Sequence, residues 1–112
     1  MLSISEDRKR KEEEKMKIFL DDTRSCPDRF ELCRSYDEFT RLVSANKNDI
    51  QELSLDYDLG GFKTGLDACK FLVASNIVCP KITIHSTHSN AYRMADYLKE
   101  HMTETEIILL HG

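Results

Sequence analysis

Acidic and hydroxyl side chains follow three apolar runs of the chain. Asp21 and Asp22 stand directly after Met16-Lys17-Ile18-Phe19-Leu20. Asp56 and Asp58 come after Leu53-Ser54-Leu55, and His85, Ser86, Thr87 and His88 after Ile82-Thr83-Ile84. Carboxylates held a few ångströms apart raise one another's pKa unless a cation intervenes. Gathered together, Asp21, Asp22, Asp56 and Asp58 suit a hard divalent cation, best Mg2+, with Mn2+ as the alternative. An unperturbed histidine titrates near neutrality, so His85 suits a general acid or base. Ser86 and Thr87 can donate to a phosphate oxygen, and His88 is a second imidazole on the same stretch. Arg24, two residues past the acidic pair, can clamp phosphate oxygens. Each residue also has a plainer use. Asp opens turns, and a histidine leaving a buried strand can be simply hydrogen-bonded. Ser89 or Asn90 is placed to cap a helix.

Whether these residues meet depends on the elements that carry them. Met16–Leu20, Phe30–Cys33, Leu53–Asp56, Lys81–Ile84 and Glu106–Leu110 read as short strands. Ser35-Tyr36-Asp37-Glu38 and Thr64-Gly65-Leu66-Asp67 are capping boxes. Behind the first, Tyr36, Phe39, Leu42 and Val43 recur at helical spacing. Leu66, Cys69, Leu72 and Val73 do so behind the second. Ala91, Met94, Ala95, Leu98 and Met102 mark a third helix, from about Asn90 to His101. Strands separated by helices imply a parallel α/β sheet, and right-handed crossovers are expected to place helices on both of its faces. The expected fold is a flavodoxin-like three-layer sandwich on five strands in the order 2-1-3-4-5. About nine residues join the first strand to the second, too few for a crossover helix, so that helix is reduced or missing. In such a sheet the binding crevice lies at the carboxyl ends of the strands, where all three polar stretches fall.

The whole chain has 112 residues and a net charge of −4, enough for one domain. The arm at 1–15 ends in ten consecutive charged residues, five basic and five acidic. It reads as a solvated, disordered tail, and residues 16–112 as the folded domain that carries the acidic excess. That excess argues against duplex DNA as a partner. No apolar run is long enough to cross a bilayer. Cys26, Cys33, Cys69 and Cys79 contain no C-x-x-C pair, which points away from zinc and toward reduced thiols in the cytoplasm. Cys26 has no activating neighbour in sequence. Gly60-Gly61 lacks the G-K-[ST] of a P-loop. His85-Ser86-Thr87 and His101-Met102-Thr103 both read H-x-T, but the second lies at a helix end.

Ile18-Phe19-Leu20-Asp21-Asp22-Thr23-Arg24 with Cys26-Pro27, Leu53-Ser54-Leu55-Asp56-Tyr57-Asp58-Leu59-Gly60 with Thr64-Gly65, and Ile84-His85-Ser86 together resemble the cyclic-phosphate processing receiver-like domains. That family is a branch of the receiver superfamily of response regulators. The resemblance spans about residues 16 to 110. It implies that Asp21 and Asp22 match the acidic pair that holds Mg2+ and Asp56 the phosphoacceptor position. Ser86 lies near the hydroxyl after strand four, and His85 is special to this branch. Two departures stand out. Leu109-Leu110-His111 offers no Lys after strand five, and His88 occupies the place of an Asn in H-S-x-N. The resemblance implies a metal-assisted phosphoesterase opening a cyclic phosphate on a nucleotide or RNA end, with Asp56 and His85 as the catalytic residues. The alternatives are a phosphoacceptor receiver and a metal- or phosphate-binding module without chemistry. The sequence sets no oligomeric state.

Overall fold

A computed structural model describes residues 15–110. The charged arm, apart from Lys15, lies outside the described residues, as do the last two residues of the chain. The elements are β1 (Met16–Leu20), β2 (Phe30–Cys33), α1 (Tyr36–Ala45), β3 (Ile50–Leu55), α2 (Gly65–Ala74), β4 (Lys81–His85), α3 (Ala91–His101) and β5 (Glu106–Leu110). All strand pairs are parallel, in the order β2-β1-β3-β4-β5. The expected parallel sheet, its strand order and the first crossover without a helix across residues 21–29 are borne out, but the described helices form one layer and not the two expected of a three-layer sandwich. β3 begins three residues before the apolar run at Leu53, because Ile50 and Glu52 pair with Met16 and Lys17 across a register shift.

Local chemistry sets the helix starts. Ser35 Oγ accepts from Glu38 N at 3.2 Å, while the Glu38 carboxylate reaches Arg34 N at 2.8 Å, so this capping box is displaced by one residue. Thr64 N donates to Asp67 Oδ2 at 2.8 Å. These bonds satisfy amide groups that a helix start leaves without partners.

The core is built in rows. Ile18, Leu53 and Ile82 lie in register, as do Leu20, Leu55 and Ile84, and all six are fully buried against Phe39, Val43, Leu72, Met94 and Leu98. Each such aliphatic side chain contributes roughly 1.5–3 kcal/mol. The steps β2→β3, β3→β4 and β4→β5 all run in one direction across the sheet. Right-handed crossovers therefore set α1, α2 and α3 on the same face. Only β1→β2 runs the other way, and it has no helix. Among the described residues the opposite face carries no helix and so no third layer. It bears Lys17, Glu52 and Lys81, joined by ion pairs of 3.8 and 4.0 Å, then Phe19, Ser54 and Thr83, then His85. No described helix is long and apolar enough to cross a membrane, and the four cysteines are free thiols.

Candidate metal and phosphate site

The sheet ladder runs one residue past β1 and β3. Asp21 N donates to Cys33 O at 3.1 Å and Asp56 N to Leu20 O at 3.0 Å. This fixes both carboxylates at adjacent strand ends. Asp21, Asp22 and Asp56 each offer an oxygen, and these atoms lie within 4.8 Å of one another. Asp58 stands outside the cluster, because its Oδ1 is engaged by Gly60 N at 3.0 Å in a local turn.

Asp21 is fully buried and held on all sides. Its Oδ1 accepts from Thr23 N and Arg24 N, both at 2.9 Å. Oδ2 lies 3.0 Å from His85 Nε2 and 3.7 Å from Arg24 Nε. Burial pushes this carboxyl up, but the Arg24 and Thr23 amides and His85 outweigh it and leave the pKa below the ordinary value. Arg34 Nη1 ties down the same loop by donating to Arg24 O at 2.8 Å and Asp21 O at 3.4 Å.

His85 is placed behind Asp21 rather than over the cavity. Its Nδ1 meets Ser54 Oγ at 2.7 Å, and its ring stacks on Phe19 at 4.4 Å. Burial lowers the His85 pKa, and Asp21 offsets this only in part, so the neutral ring is favoured. The Nε2–H then donates to Asp21, and the Ser54 hydroxyl donates to Nδ1. Both nitrogens are engaged, so His85 does not open onto the cavity as its expected acid–base role requires. Its contact with the acidic cluster is through Asp21. Ser54 went unnoticed in the sequence. The signal was strand alternation, which puts Ser54, Thr83 and His85 on one side of the sheet.

Asp56 is 9% exposed. It accepts from Tyr57 N at 2.8 Å and from the Ser86 hydroxyl. Burial raises its pKa, and the charge of Asp21 adds to the rise against those two hydrogen bonds. Two glycines permit this crowding. Gly65 N donates to Tyr57 O at 2.7 Å, and any Cβ at Gly65 would collide with Asp56 O. Gly60 has φ +74°, and a Cβ there would lie 2.8 Å from Asp22 Oδ2.

Asp22, Thr23, Arg24, Asp56, Asp58, Ser86, Thr87 and His88 line an open cavity of about 280 Å³. Every expected site residue therefore lines it except Asp21 and His85, which support it from behind. Arg24 is the one lysine or arginine in the lining. Ser86 is buried, and its Oγ also accepts from His88 N at 3.1 Å. Asn90 holds the N-cap position of α3 as expected, and His88 braces it. Its Nδ1 accepts from Asn90 N at 3.0 Å, its carbonyl accepts from Ala91 N, and the Asn90 side chain makes no cap bond. The ring lies 4.3 Å from that of Tyr57. With Nδ1 accepting, a neutral His88 keeps its proton on Nε2, as a donor.

The donor set fits a hard cation. It consists of carboxylate oxygens, and Asp56 is strained by burial and by Asp21 in a way that a cation relieves. Asp21 Oδ2 retains a lone pair beyond its histidine bond. The other sequence candidates fall away. Cys26 Sγ donates to Phe30 O at 3.2 Å, and burial raises its pKa. His101 and Thr103 line a separate groove with Val78 and Met102.

The family model for the cyclic-phosphate processing receiver domain matches residues 16–100. No curated protein matches the chain, and no solved structure does.

Proposed function

The chain belongs to the cyclic-phosphate processing receiver domain family, and from that premise we propose that it is a metal-assisted phosphoesterase that opens a cyclic phosphate carried by a nucleotide or RNA end. The observation that supports this most is the cluster of Asp21, Asp22 and Asp56 oxygens within 4.8 Å, beside a cavity that also presents Arg24, Ser86, Thr87 and His88.

In this reading Asp22 and Asp56 hold a divalent cation, Mg2+ or Mn2+, with the remaining lone pair of Asp21 behind them. When bound, such an ion neutralises phosphoryl charge and lowers the pKa of a water. The chain supplies the rest. Arg24 and the Nε2–H of His88 hold non-bridging phosphoryl oxygens, with Thr87 as a further donor. Ser54 and His85 keep the Asp21 carboxylate oriented and charged. A water oxygen forms the new P–O bond, one ring P–O bond breaks, and the water proton passes to the departing alkoxide. Asp56, whose pKa is raised, is the carboxylate suited to carry that proton.

The test is incubation with 2′,3′-cyclic nucleotides and Mg2+ or Mn2+, followed by 31P NMR. Conversion to a phosphomonoester, lost in Asp56→Asn, is the expected result. Ligand that binds but is recovered intact would leave only a binding module. The other alternative, phosphorylation of Asp56, predicts the mass gain of one phosphoryl group from acetyl phosphate. It finds less support, because no Lys follows the acidic cluster from β5.

A further inference from the structure

We propose that Phe62 is a stacking platform for a nucleobase, so that the ligand of this site is a nucleoside cyclic phosphate rather than a base-free one. The inference rests on the reading of the cavity as a cyclic-phosphate site.

Phe62 is 104% exposed, so its whole ring stands in water. The chain on either side is fixed. Leu59 is buried, and Asp58 Oδ1 holds Gly60 N. Lys63 Nζ lies 5.2 Å over the Tyr36 ring, and Thr64 begins the capping box of α2. Between these anchors stand only Gly61 and Phe62, both exposed. A phenylalanine held out from a doubly anchored loop adds nothing to the core, where its burial would stabilise the fold.

Its position connects it to the site. Gly60 abuts Asp22 Oδ2, and Asp58 is part of the cavity wall. Two peptide units, at most about 7.6 Å between Cα atoms, separate Phe62 from Gly60. The cavity, about 280 Å³, falls just below the range of roughly 300–1,000 Å³ that encloses a drug-sized ligand. A cyclic phosphate and its sugar would occupy it, and an attached base would rest on the rim. The His88 ring in the cavity wall is already covered by that of Tyr57. Phe62 leaves a π-face open, and such a face accepts any base.

The chain has no Trp, so Phe62→Trp installs a single indole reporter at a position where exposure makes folding secure. In Mg2+, 2′,3′-cyclic AMP and 2′,3′-cyclic CMP should quench its emission saturably. Glycerol 1,2-cyclic phosphate, which carries no base, should bind by calorimetry without quenching. Phe62→Ala should weaken both nucleotides roughly 5- to 150-fold, Phe62→Tyr should restore them, and neither change should move the base-free ligand. If Phe62→Ala binds the nucleotides as tightly as the parent while the base-free ligand also binds, the platform is refuted and the cyclic-phosphate reading stands. If the nucleotides bind through Phe62 but the base-free ligand does not bind at all, the platform stands and the phosphate reading fails. Self-association that Phe62→Ala abolishes, with nucleotide affinity unchanged, would make the ring a protein contact and overturn the proposal.

Discussion

Asp56→Asn should make the metal-free protein more stable. The Asp21 and Asp56 oxygens lie within 4.8 Å of each other. Two unit charges at that distance repel by about 1 kcal/mol in bulk water and about 3.5 kcal/mol at an effective dielectric near 20. Asp56 is 9% exposed, so solvent screens little of this. Asparagine removes the charge and keeps the contacts. Its Oδ1 still accepts from Tyr57 N, and its amide donates to Ser86 Oγ. The expected gain is on the order of 1–3 kcal/mol, and each kcal/mol moves Tm by roughly 4–8 °C in a domain of this size. The pH dependence follows from the raised pKa of Asp56. The folded chain retains a proton that the unfolded chain has released, so wild-type stability falls as pH rises from 3.8 through the folded value. The advantage of Asp56→Asn is therefore full at neutral pH and closes toward pH 3.8. Thermal melts in EDTA measure it. Mg2+ at about 100 times its Kd should add about 2.7 kcal/mol to the wild type and little to the variant. A variant less stable than the parent in EDTA, or equal Mg2+ shifts in both, would refute the electrostatic reasoning.

Ser54→Ala leaves His85 Nδ1 buried without a donor and should cost about 1–3 kcal/mol in urea unfolding. Metal affinity should fall roughly 10- to 100-fold as Asp21 loosens, and Ser54→Thr should recover most of both. His85 and Asp21 have lowered pKa values. The urea midpoint of Asp56→Asn should therefore drop as pH falls from 6.5 through the folded value of His85, then again below 3.8. His85→Gln should flatten the first drop. His88→Asn should keep KM near the parent value, since an amide can accept from Asn90 N and still donate. His88→Ala should raise KM by roughly fivefold, about one hydrogen bond, measured by initial rates. Gly60→Ala forces a Cβ against Asp22 Oδ2 at positive φ. It should lower Tm by the strain of roughly 1–2 kcal/mol and reduce the Mg2+-induced shift in the same melts.

Strand and helix identity were legible because the pattern is strong. Ile18, Leu20, Leu53, Leu55, Ile82 and Ile84 alternate with residues of the other face, and Ser35 and Thr64 mark two helix starts. The nine-residue link announced the absent helix by length alone. Convergence of Asp21, Asp22 and Asp56 followed from strand order. Direction at the strand ends did not follow. His85 continues the parity of Thr83 and turns to the face opposite α1, α2 and α3, so it meets Asp21 from behind. Asn90 is the N-cap of α3 without using its side chain, because His88 Nδ1 accepts from its amide as a carboxamide oxygen would. Phe62 belongs to no periodic pattern, and only its exposure in three dimensions singles it out.

The absent crossover helix bears directly on how the acidic site is held. A helix on that face would pack an apolar stripe across Phe19, Ser54 and Thr83. Ser54 and His85 instead fill this ground with a hydrogen-bonded pair that ends on Asp21. The amides of Thr23 and Arg24, drawn in by Arg34, secure the other oxygen of the same carboxylate. Asp21 is therefore held by hydrogen bonds to both of its carboxylate oxygens, and its charge stays fixed beside Asp56. That arrangement makes Asp56 the group at which stability and occupancy meet. Repulsion from Asp21 and loss of hydration oppose its ionisation in the folded chain. A cation that removed this opposition would bind the native state and not the unfolded one, so its binding energy would also be folding energy. On the proposed function, the acidic excess of the domain acts locally, as a stability deficit that a divalent ion would offset at one edge of the sheet.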